Sequence, residues 1–174
     1  QFTSSFGGNS YVKTNMLGAS AQYHLNYRFS IGARYDYAFN ELTAEGENMV
    51  KNPQEIRDGN GVVVGYAPNI PALDYIKQSY FATANWYPIY GKFSMYDLGI
   101  VHFDIYALGG AGQVELESGP SDALTAGAGM AFWISQHLTS RFELRWMGYQ
   151  ASLISGAKED VNLTLGTLSF GYLL

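Results

Sequence analysis

The pattern of hydrophobic and polar positions is clearest between Phe29 and Asn40, where the sequence reads FSIGARYDYAFN. Apolar and aromatic side chains take every second position from Phe29 to Phe39, and small, polar or charged side chains such as Arg34 and Asp36 take the positions between them. A repeat of two residues places the two sets on opposite faces of a β-strand. The stretch therefore predicts a strand with one face in an apolar medium and the other in a polar one.

The same alternation recurs along most of the chain. It predicts further strands within residues 11–25, 76–87, 101–117, 124–134, 141–146 and 161–174. Near Gly109–Gly112 and again near Gly166 the alternation changes phase, because Gln113 and Glu115 take positions that had been apolar and Leu168 resumes the apolar set one residue out of step with Leu165. We expect a bulge in each of these two strands, since one inserted residue restores the phase.

These predicted strands are seven in number, and only a short stub of alternation, Phe2–Phe6, precedes them. A sheet that crosses a membrane must pair both of its edges, because unpaired backbone groups are costly in lipid. We therefore expect eight strands to close a barrel, with the first strand truncated here or mostly missing before Gln1.

The apolar face can point either into a protein core or into lipid. If it points into lipid, the polar face lines a narrow lumen, where small side chains and opposite charges are favoured. The charged strand RFELRW at Arg141–Trp146 repeats the pattern of Phe29–Asn40 with more charge, and this favours lipid. The fold prediction is all-β, a single domain over residues 1–174 that forms an antiparallel up-and-down transmembrane β-barrel. The predicted lipid-facing side chains are Phe29, Ile31, Tyr35, Tyr37, Phe103, Leu144 and Trp146. The predicted lumen charge network is Arg34, Asp36, His102, Asp104, Arg141, Glu143 and Arg145.

Composition agrees with a barrel of this kind. The chain has 174 residues, 14 Tyr, 10 Phe, 3 Trp and 20 Gly, and a mean hydropathy of −0.08 that reflects the alternation. No run of about 18 apolar residues predicts a membrane-spanning helix. A net charge of −5 with 14% charged residues argues against a nucleic-acid partner. No cysteine is present, which fits export through an oxidising compartment.

The connections between strands fall into a short set and a longer set. The connections near residues 26, 90–100 and 136 are short to medium, whereas those near residues 42–74, 118 and 155 form a more variable set. Residues 42–74 are the longest interruption and carry three prolines and an Asn-Gly pair. Val62–Val64 after that pair predicts a small hairpin. Short turns at one rim and longer loops at the other are typical of outer-membrane barrels, whose short turns are periplasmic. The segment at about 42–74 is therefore predicted to be extracellular.

Several stretches carry a family resemblance: VHFDIYALGGAG (101–112), GAGMAFWIS (127–135), RFELRW (141–146), YHLNYRFSIGARY (23–35) and NWYPIYGKFS (85–94). Through them nearly the whole chain resembles small outer-membrane β-barrel domain proteins of myxobacteria and predatory, Bdellovibrio-like bacteria, with OmpA/OmpX-like architecture. The resemblance implies location and architecture but no catalytic residues. Some members of that family look like parts of envelope-spanning motility assemblies. The chain departs from the common aromatic end of terminal barrel strands, since it closes with SFGYLL.

Three histidines, His24, His102 and His137, are the first candidates for catalysis or metal binding. Their spacing matches no metal motif, and positions near strand ends are usual for histidines at a barrel rim. An acyl hydrolase acting on lipid A would need a histidine, a hydroxyl and a carboxylate on the lipid side, and His137, Thr139 or Ser140, and Glu143 are the candidates. Glu143 shares its phase with Arg141 and Arg145, so it points into the lumen instead. We expect no enzyme activity, no metal and no cofactor.

The sequence thus predicts a non-enzymatic barrel of a Gram-negative bacterial outer membrane that anchors or presents extracellular loops, possibly within an envelope complex. Its expected partners are outer-membrane lipid and lipopolysaccharide, with protein partners at the extracellular loop or the periplasmic turns. Two alternatives stay open. One is a narrow porin or channel for small molecules, and the other is a soluble lipocalin-like binder, which would place Phe29, Ile31 and Tyr35 inside.

Overall fold

A computed structural model describes residues 1–7, 12–51, 54–57, 63–67, 74–94, 100–152 and 158–173. In chain order, these residues form the elements β1 (Phe2–Gly7), β2 (Val12–His24), β3 (Phe29–Leu42), α1 (Ala44–Lys51), β4 (Gln54–Arg57), β5 (Val63–Ala67), β6 (Ile76–Ser94), β7 (Ile100–Leu116), β8 (Gly119–Trp133), β9 (Leu138–Ser152) and β10 (Lys158–Tyr172). Eight strands close into one barrel in the order β1-β10-β9-β8-β7-β6-β3-β2, and all of these pairs are antiparallel. The predicted eight-stranded up-and-down barrel is confirmed.

Strand β1 is the shortest of the eight, with six residues, and it closes the ring by pairing with both neighbours. Phe2 lies opposite Leu17 on β2 and opposite Leu168 on β10. Inside the barrel, the hydroxyls of Thr3 and Thr167 share a hydrogen bond of 2.8 Å. These six residues complete the ring of eight strands.

Two tight turns define one end of the barrel, called the turn end here. In residues 25–28, Asn26 Oδ1 accepts hydrogen bonds from the backbone N–H groups of Arg28 and Phe29, at 2.8 and 2.9 Å. In residues 134–137, Ser135 Oγ does the same for His137 and Leu138 at 3.3 and 3.1 Å. Short Asn and Ser side chains reverse the chain in this way because they replace a backbone acceptor within the turn.

The opposite end, called the loop end, carries the segment between β3 and β6. The helix α1 begins after Thr43, whose Oγ1 accepts from the Gly46 N–H at 3.2 Å as an N-cap. Strands β4 and β5 pair as the small hairpin expected there, although Val62 lies outside the described residues. Among the described residues, no helix is long and apolar enough to cross a membrane.

The faces of β3 are oriented as the alternation predicts. The Phe29 and Ile31 side chains are each 48% exposed on the outer face, while Arg34 is 5% and Asp36 0% exposed inside the barrel. The apolar set therefore points outward. The lipocalin-like alternative expected that set in the interior, and this orientation is not the one found.

The polarity of both faces reverses along the barrel axis. Towards the loop end the interior is an apolar core, and the outer face carries polar side chains such as Gln113, Glu115 and Gln150. The core consists of Met16, Ala38, Ile76, Phe81, Val114, Leu116, Ala123, Met147, Tyr149, Ala151, Leu163 and Leu165. Because Val114 and Leu165 face inward without any change of phase, the bulges expected in β7 and β10 are wrong: β10 pairs with β9, and β7 with β8, in unbroken register.

A bulge does occur in the strand next to β7. The register of β6 against β7 shifts between Trp86 and Ile89, at Tyr87 and Pro88. Proline has no N–H to give to a ladder, so a bulge is one of the few places in a sheet that accept it. Beyond the bulge, β6 continues to Ser94 paired with β7, so residues 90–94 form strand where a connection was expected.

Candidate functional site

The middle of the barrel interior holds a group of charged side chains, called the lumen cluster here: Arg34, Asp36, Glu143 and Arg145. The first two alternate on β3 and the last two on β9. In the closed ring these strands are separated by three others on either side, so they face each other across the lumen. The inward phase of two opposite strands therefore brings the four charges together.

Arg34 and Glu143 make the tightest contact of the lumen cluster. Arg34 Nη2 donates to both carboxylate oxygens of Glu143, at 2.9 Å to Oε1 and 2.7 Å to Oε2. The Tyr106 hydroxyl, from β7, donates to Glu143 Oε1 at 2.8 Å. All three side chains are buried, so this carboxylate is held between a guanidinium and a phenol away from solvent.

Arg145 and Asp36 form the second, looser pair. Arg145 Nη2 lies 3.6 Å from Asp36 Oδ2, and the guanidinium stands 5.9 Å from the centre of the Phe81 ring. Gln1 Nε2 donates to Asp36 Oδ1 at 2.7 Å. Nε, Nη1 and Nη2 of Arg145 have no hydrogen-bond partner among the described residues. The ion pair with Asp36 and the contact with the Phe81 ring are therefore the interactions that offset the desolvation of this buried charge.

Glycines on adjacent strands make room for these long side chains. A Cβ atom at Gly18 would lie 2.2 Å from Asp36 Oδ1, and one at Gly129 would lie 2.6 Å from the Tyr106 ring. Both distances are far below van der Waals contact. The small residues and the charges on the inward faces therefore form one packed unit.

The other predicted lumen charges do not join the cluster. Asp104 accepts from Trp133 Nε1 at 2.7 Å near the turn end. Arg141 donates to Gln22 Oε1 and lies 6.0 Å from the Tyr106 ring centre. Both residues belong to the predicted lumen charge network, but the described residues show no ion pair for Asp104 or Arg141 within 4.0 Å.

His102 also lies apart from the lumen cluster. Its ring stacks on Tyr90 at 5.6 Å between centroids, and Nδ1 shares a short hydrogen bond with the Tyr90 hydroxyl. The contact lies on the part of the β6–β7 pair beyond the bulge, at the turn end. The grouping of His102 with the lumen charges is therefore corrected. The alternation along β7 predicts which face of the strand carries His102, but it does not predict that His102 lies at a different height along the barrel axis from the lumen cluster.

Tyr106 is the site residue that sequence reasoning missed. It is fully buried. Its hydroxyl donates to Glu143, and its ring contacts the Tyr87 ring at 5.3 Å between centroids. A signal was present, because Tyr106 continues the inward phase of His102 and Asp104 along β7.

The side chains predicted to face lipid all lie on the outer phase of their strands. Leu144 is 53% exposed, and Phe29, Ile31, Tyr35, Tyr37 and Trp146 are also exposed, whereas Phe103 is half-buried. The Tyr35 ring contacts the ring of Tyr80 on the neighbouring strand in a tilted arrangement, with the centroids 5.2 Å apart. These residues form an outer apolar surface that continues around most of the ring.

The residues considered for acyl hydrolysis are not brought together. His137 Nδ1 lies 3.2 Å from the Leu173 carbonyl oxygen, and its ring stacks on Tyr172. Glu143 is held by Arg34 inside the barrel, and Thr139 is directed to the Gly171 carbonyl at 3.4 Å. Within the described ranges, no group of three His, Asp or Glu side chains is placed to bind a metal.

No family model, no curated protein and no solved structure matches the chain.

Proposed function

We propose that the chain is a non-enzymatic integral β-barrel of a bacterial outer membrane, which anchors and presents the segment at its loop end. The observation that carries the proposal is the band of apolar side chains on the outer face, at the height where the interior is charged. A protein in water is expected to have the opposite distribution, because exposed apolar patches above a few hundred Å² are rare on soluble monomers.

The band has the height of a bilayer core. Along β8 the outward side chains are apolar from Leu124 to Ile134, just past the end of the strand. With a rise of about 3.4 Å per residue and a tilt of about 40°, these ten steps span about 26 Å, close to the apolar band of known outer-membrane barrels. Beyond Leu124 the next outward side chain is Asp122, so the band ends sharply at the loop end.

Aromatic side chains with polar atoms lie at the edge of this band. Tyr35 donates its hydroxyl to Gln78 Oε1 at 3.1 Å, and Trp146 Nε1 donates to Asn162 Oδ1 at 3.1 Å. In both pairs the ring lies on the apolar side and the partner on the polar side of the edge. Tyr and Trp favour the membrane interface for this reason.

The filled lumen supports an anchor in preference to a pore. Arg34, Tyr106, Glu143 and Arg145 are each 5% exposed or less, and they meet in the centre of the ring. An eight-stranded barrel has an interior only just wide enough for its own side chains. Opposite charges bound to one another across the lumen join the two walls and fill the space between them at this height.

The part that such an anchor presents is the segment between β3 and β6. It holds the helix α1 and the β4–β5 hairpin, and it leaves the barrel at the end where the outer face is polar. Short turns of outer-membrane barrels face the periplasm, so this segment faces the cell exterior. We propose that this segment binds lipopolysaccharide or another protein of an envelope complex, as the family resemblance implies.

Quenching of tryptophan fluorescence by brominated lipid tests the membrane location. In lipid vesicles, a variant that keeps only Trp146, on the outer face, is expected to be quenched strongly by bromine on the acyl chains. A matched variant that keeps only Trp133, whose indole N–H is bonded to Asp104 inside the barrel, is expected to be quenched much less. Equal and weak quenching of both would contradict the proposal.

Epitope tags test which end is presented. A tag inserted within residues 58–62 is expected to bind antibody on intact cells, because it extends the β4–β5 hairpin at the loop end. The matched tag between Ser135 and His137, in a tight turn, is expected to bind only after the outer membrane is permeabilised. The reverse pattern would overturn the assignment of the two ends.

A further inference from the structure

The outer wall has a groove at the loop end, across β7, β8, β9 and β10. The groove has a volume of about 970 Å³, and both polar and apolar side chains line it. It lies where the outer apolar band ends, since Asp122 and Leu124 of β8 are both in its lining. In a bilayer this is the height at which lipid headgroups begin.

Four polar side chains form a row along the groove, one on each strand. Gln113 Nε2 on β7 donates to Asp122 Oδ1 on β8 at 3.3 Å, and Gln150 Nε2 on β9 donates to Asp160 Oδ1 on β10 at 3.0 Å. The register of β8 and β9 brings Asp122 beside Gln150, whose backbone N–H donates to Ser121 Oγ at 3.3 Å. Amides and carboxylates therefore alternate along the row, and all four side chains are exposed.

An indole ring lies between this row and the apolar band. The Trp146 ring covers Gly148, since a Cβ atom at that glycine would be 2.6 Å from Cζ2 of the ring. Its Nε1 donates to Asn162 Oδ1 on β10 at 3.1 Å, so the ring extends along the wall towards the loop end. The side chain is 43% exposed. Trp146 thus presents an aromatic surface next to the amides and carboxylates.

This combination of groups matches the chemistry of a sugar ring. Neighbouring hydroxyls of a sugar both donate and accept hydrogen bonds, and alternating amides and carboxylates offer partners for both. Hydrogen bonds to a carboxylate are the stronger kind. The C–H groups on the face of a sugar ring carry a small positive charge, which suits the negative face of an indole.

The charge of the groove disfavours a phosphate group. The lining that the structure describes includes two carboxylates, Asp122 and Asp160, and neither a lysine nor an arginine. Lysine and arginine are the side chains that recognise phosphate in proteins, and two carboxylates repel it. An uncharged sugar meets no such repulsion.

We propose that the groove binds the headgroup of an uncharged glycolipid in the membrane leaflet at the loop end. The sugar ring packs on Trp146 and its hydroxyls bond to the row of amides and carboxylates, while the acyl chains follow the apolar band towards the turn end. A membrane lipid fits better than a soluble sugar because Leu124 both lines the groove and belongs to the band. The inference rests on the membrane location proposed above, since only a bilayer brings lipid to this wall.

Quenching of Trp146 by a minor brominated lipid measures the preference. A variant that keeps only Trp146 is placed in vesicles of phosphatidylcholine, in which a small fraction of the lipid carries bromine on its acyl chains. That fraction is digalactosyl diacylglycerol in one arm and phosphatidylcholine in the other. The glycolipid is expected to be enriched beside Trp146 by about fivefold over its bulk fraction, the effect of about one net hydrogen bond.

Two variants show whether the groove causes the enrichment. Replacement of both Asp122 and Asp160 by Ala removes the carboxylates of the row and is expected to abolish the enrichment. Glu117→Gln, at the exposed pair with Lys77 outside the groove, is the matched control and is expected to leave it unchanged. Vesicles made wholly of brominated phosphatidylcholine check that each variant inserts.

The outcomes separate this inference from the membrane location. Strong quenching in the wholly brominated vesicles, with equal quenching by the two minor lipids, overturns the glycolipid site alone. Weak quenching in every vesicle overturns the membrane location and the site with it. Stronger quenching by brominated phosphatidylglycerol with Mg²⁺ than by the glycolipid would also overturn the site, in favour of a phosphate held through a cation. Enrichment that persists in the Asp122→Ala, Asp160→Ala variant would show that the row does not bind the sugar.

Discussion

Replacement of Glu143 by Gln is expected to lower the free energy of unfolding by about 3–5 kcal/mol, because it leaves the guanidinium of Arg34 buried without its counter-charge. The side chains of this pair are 3% and 2% exposed, so solvent does not screen the loss. The substitution keeps the size of the side chain and removes only the charge. Urea unfolding of the barrel in lipid vesicles, followed by tryptophan fluorescence, measures the change.

Two matched variants make the Glu143 result specific. Glu117→Gln removes the same charge from an exposed pair with Lys77, at 3.1 Å, and is expected to cost less than about 1 kcal/mol. The double variant with Arg34→Met and Glu143→Leu removes both charges and is expected to recover most of the stability, since an apolar replacement of a buried ion pair is often neutral. A Glu143→Gln variant as stable as the natural chain would show that the lumen pair does not hold the barrel together.

Replacement of Leu144 by Arg is expected to destabilise the barrel in a bilayer by about 2–4 kcal/mol, the cost of a cationic side chain on the outer face near the midplane. Leu144 lies opposite Ala128, near the middle of the apolar band on β8, and is 53% exposed on the outer face. In a water-soluble barrel the same substitution at so exposed a position would change stability little. The free energy of unfolding in vesicles therefore distinguishes the two environments.

The control for Leu144 lies on the same strand and the same face. Gln150 is outward and exposed beyond the band, where it donates to Asp160 Oδ1 at 3.0 Å. Gln150→Arg is expected to change stability by about 1 kcal/mol or less, because charged side chains are tolerated near and above the interface. If Leu144→Arg and Gln150→Arg have equal and small effects, the outer apolar band does not face lipid.

The two bulges expected in β7 and β10 show where sequence reasoning failed. The apolar residues change from odd to even positions along β7, and this pattern predicts an inserted residue. In the structure the strand keeps its phase, and the surroundings change instead: Val114 packs into the interior core above the height at which Tyr106 meets the charges. A local pattern shows only that the two faces of a strand differ in polarity. It cannot distinguish a strand with an inserted residue from a regular strand whose interior and exterior surroundings exchange polarity along the barrel axis.

The sequence also could not predict which charged side chains in the lumen pair with each other. Arg34 could have paired with Asp36 two residues away or with any inward carboxylate, and nothing local favours Glu143. Closure of eight strands with this register places β9 opposite β3 and brings Glu143 within 2.7 Å of Arg34. The same closure sets His102 and Asp104 at a different height, although they share the inward phase.

The sequence by itself determined that the chain forms an eight-stranded ring, the faces of the strands towards the turn end, and the tight turns at residues 25–28 and 134–137. These features follow from side chains within a few residues of one another, whose period and turn chemistry act locally. Only the tertiary structure decided which charges meet and where the interior changes from charged to apolar. Those features depend on register and closure among strands far apart in the chain, and a period of two carries no information about height along the barrel axis.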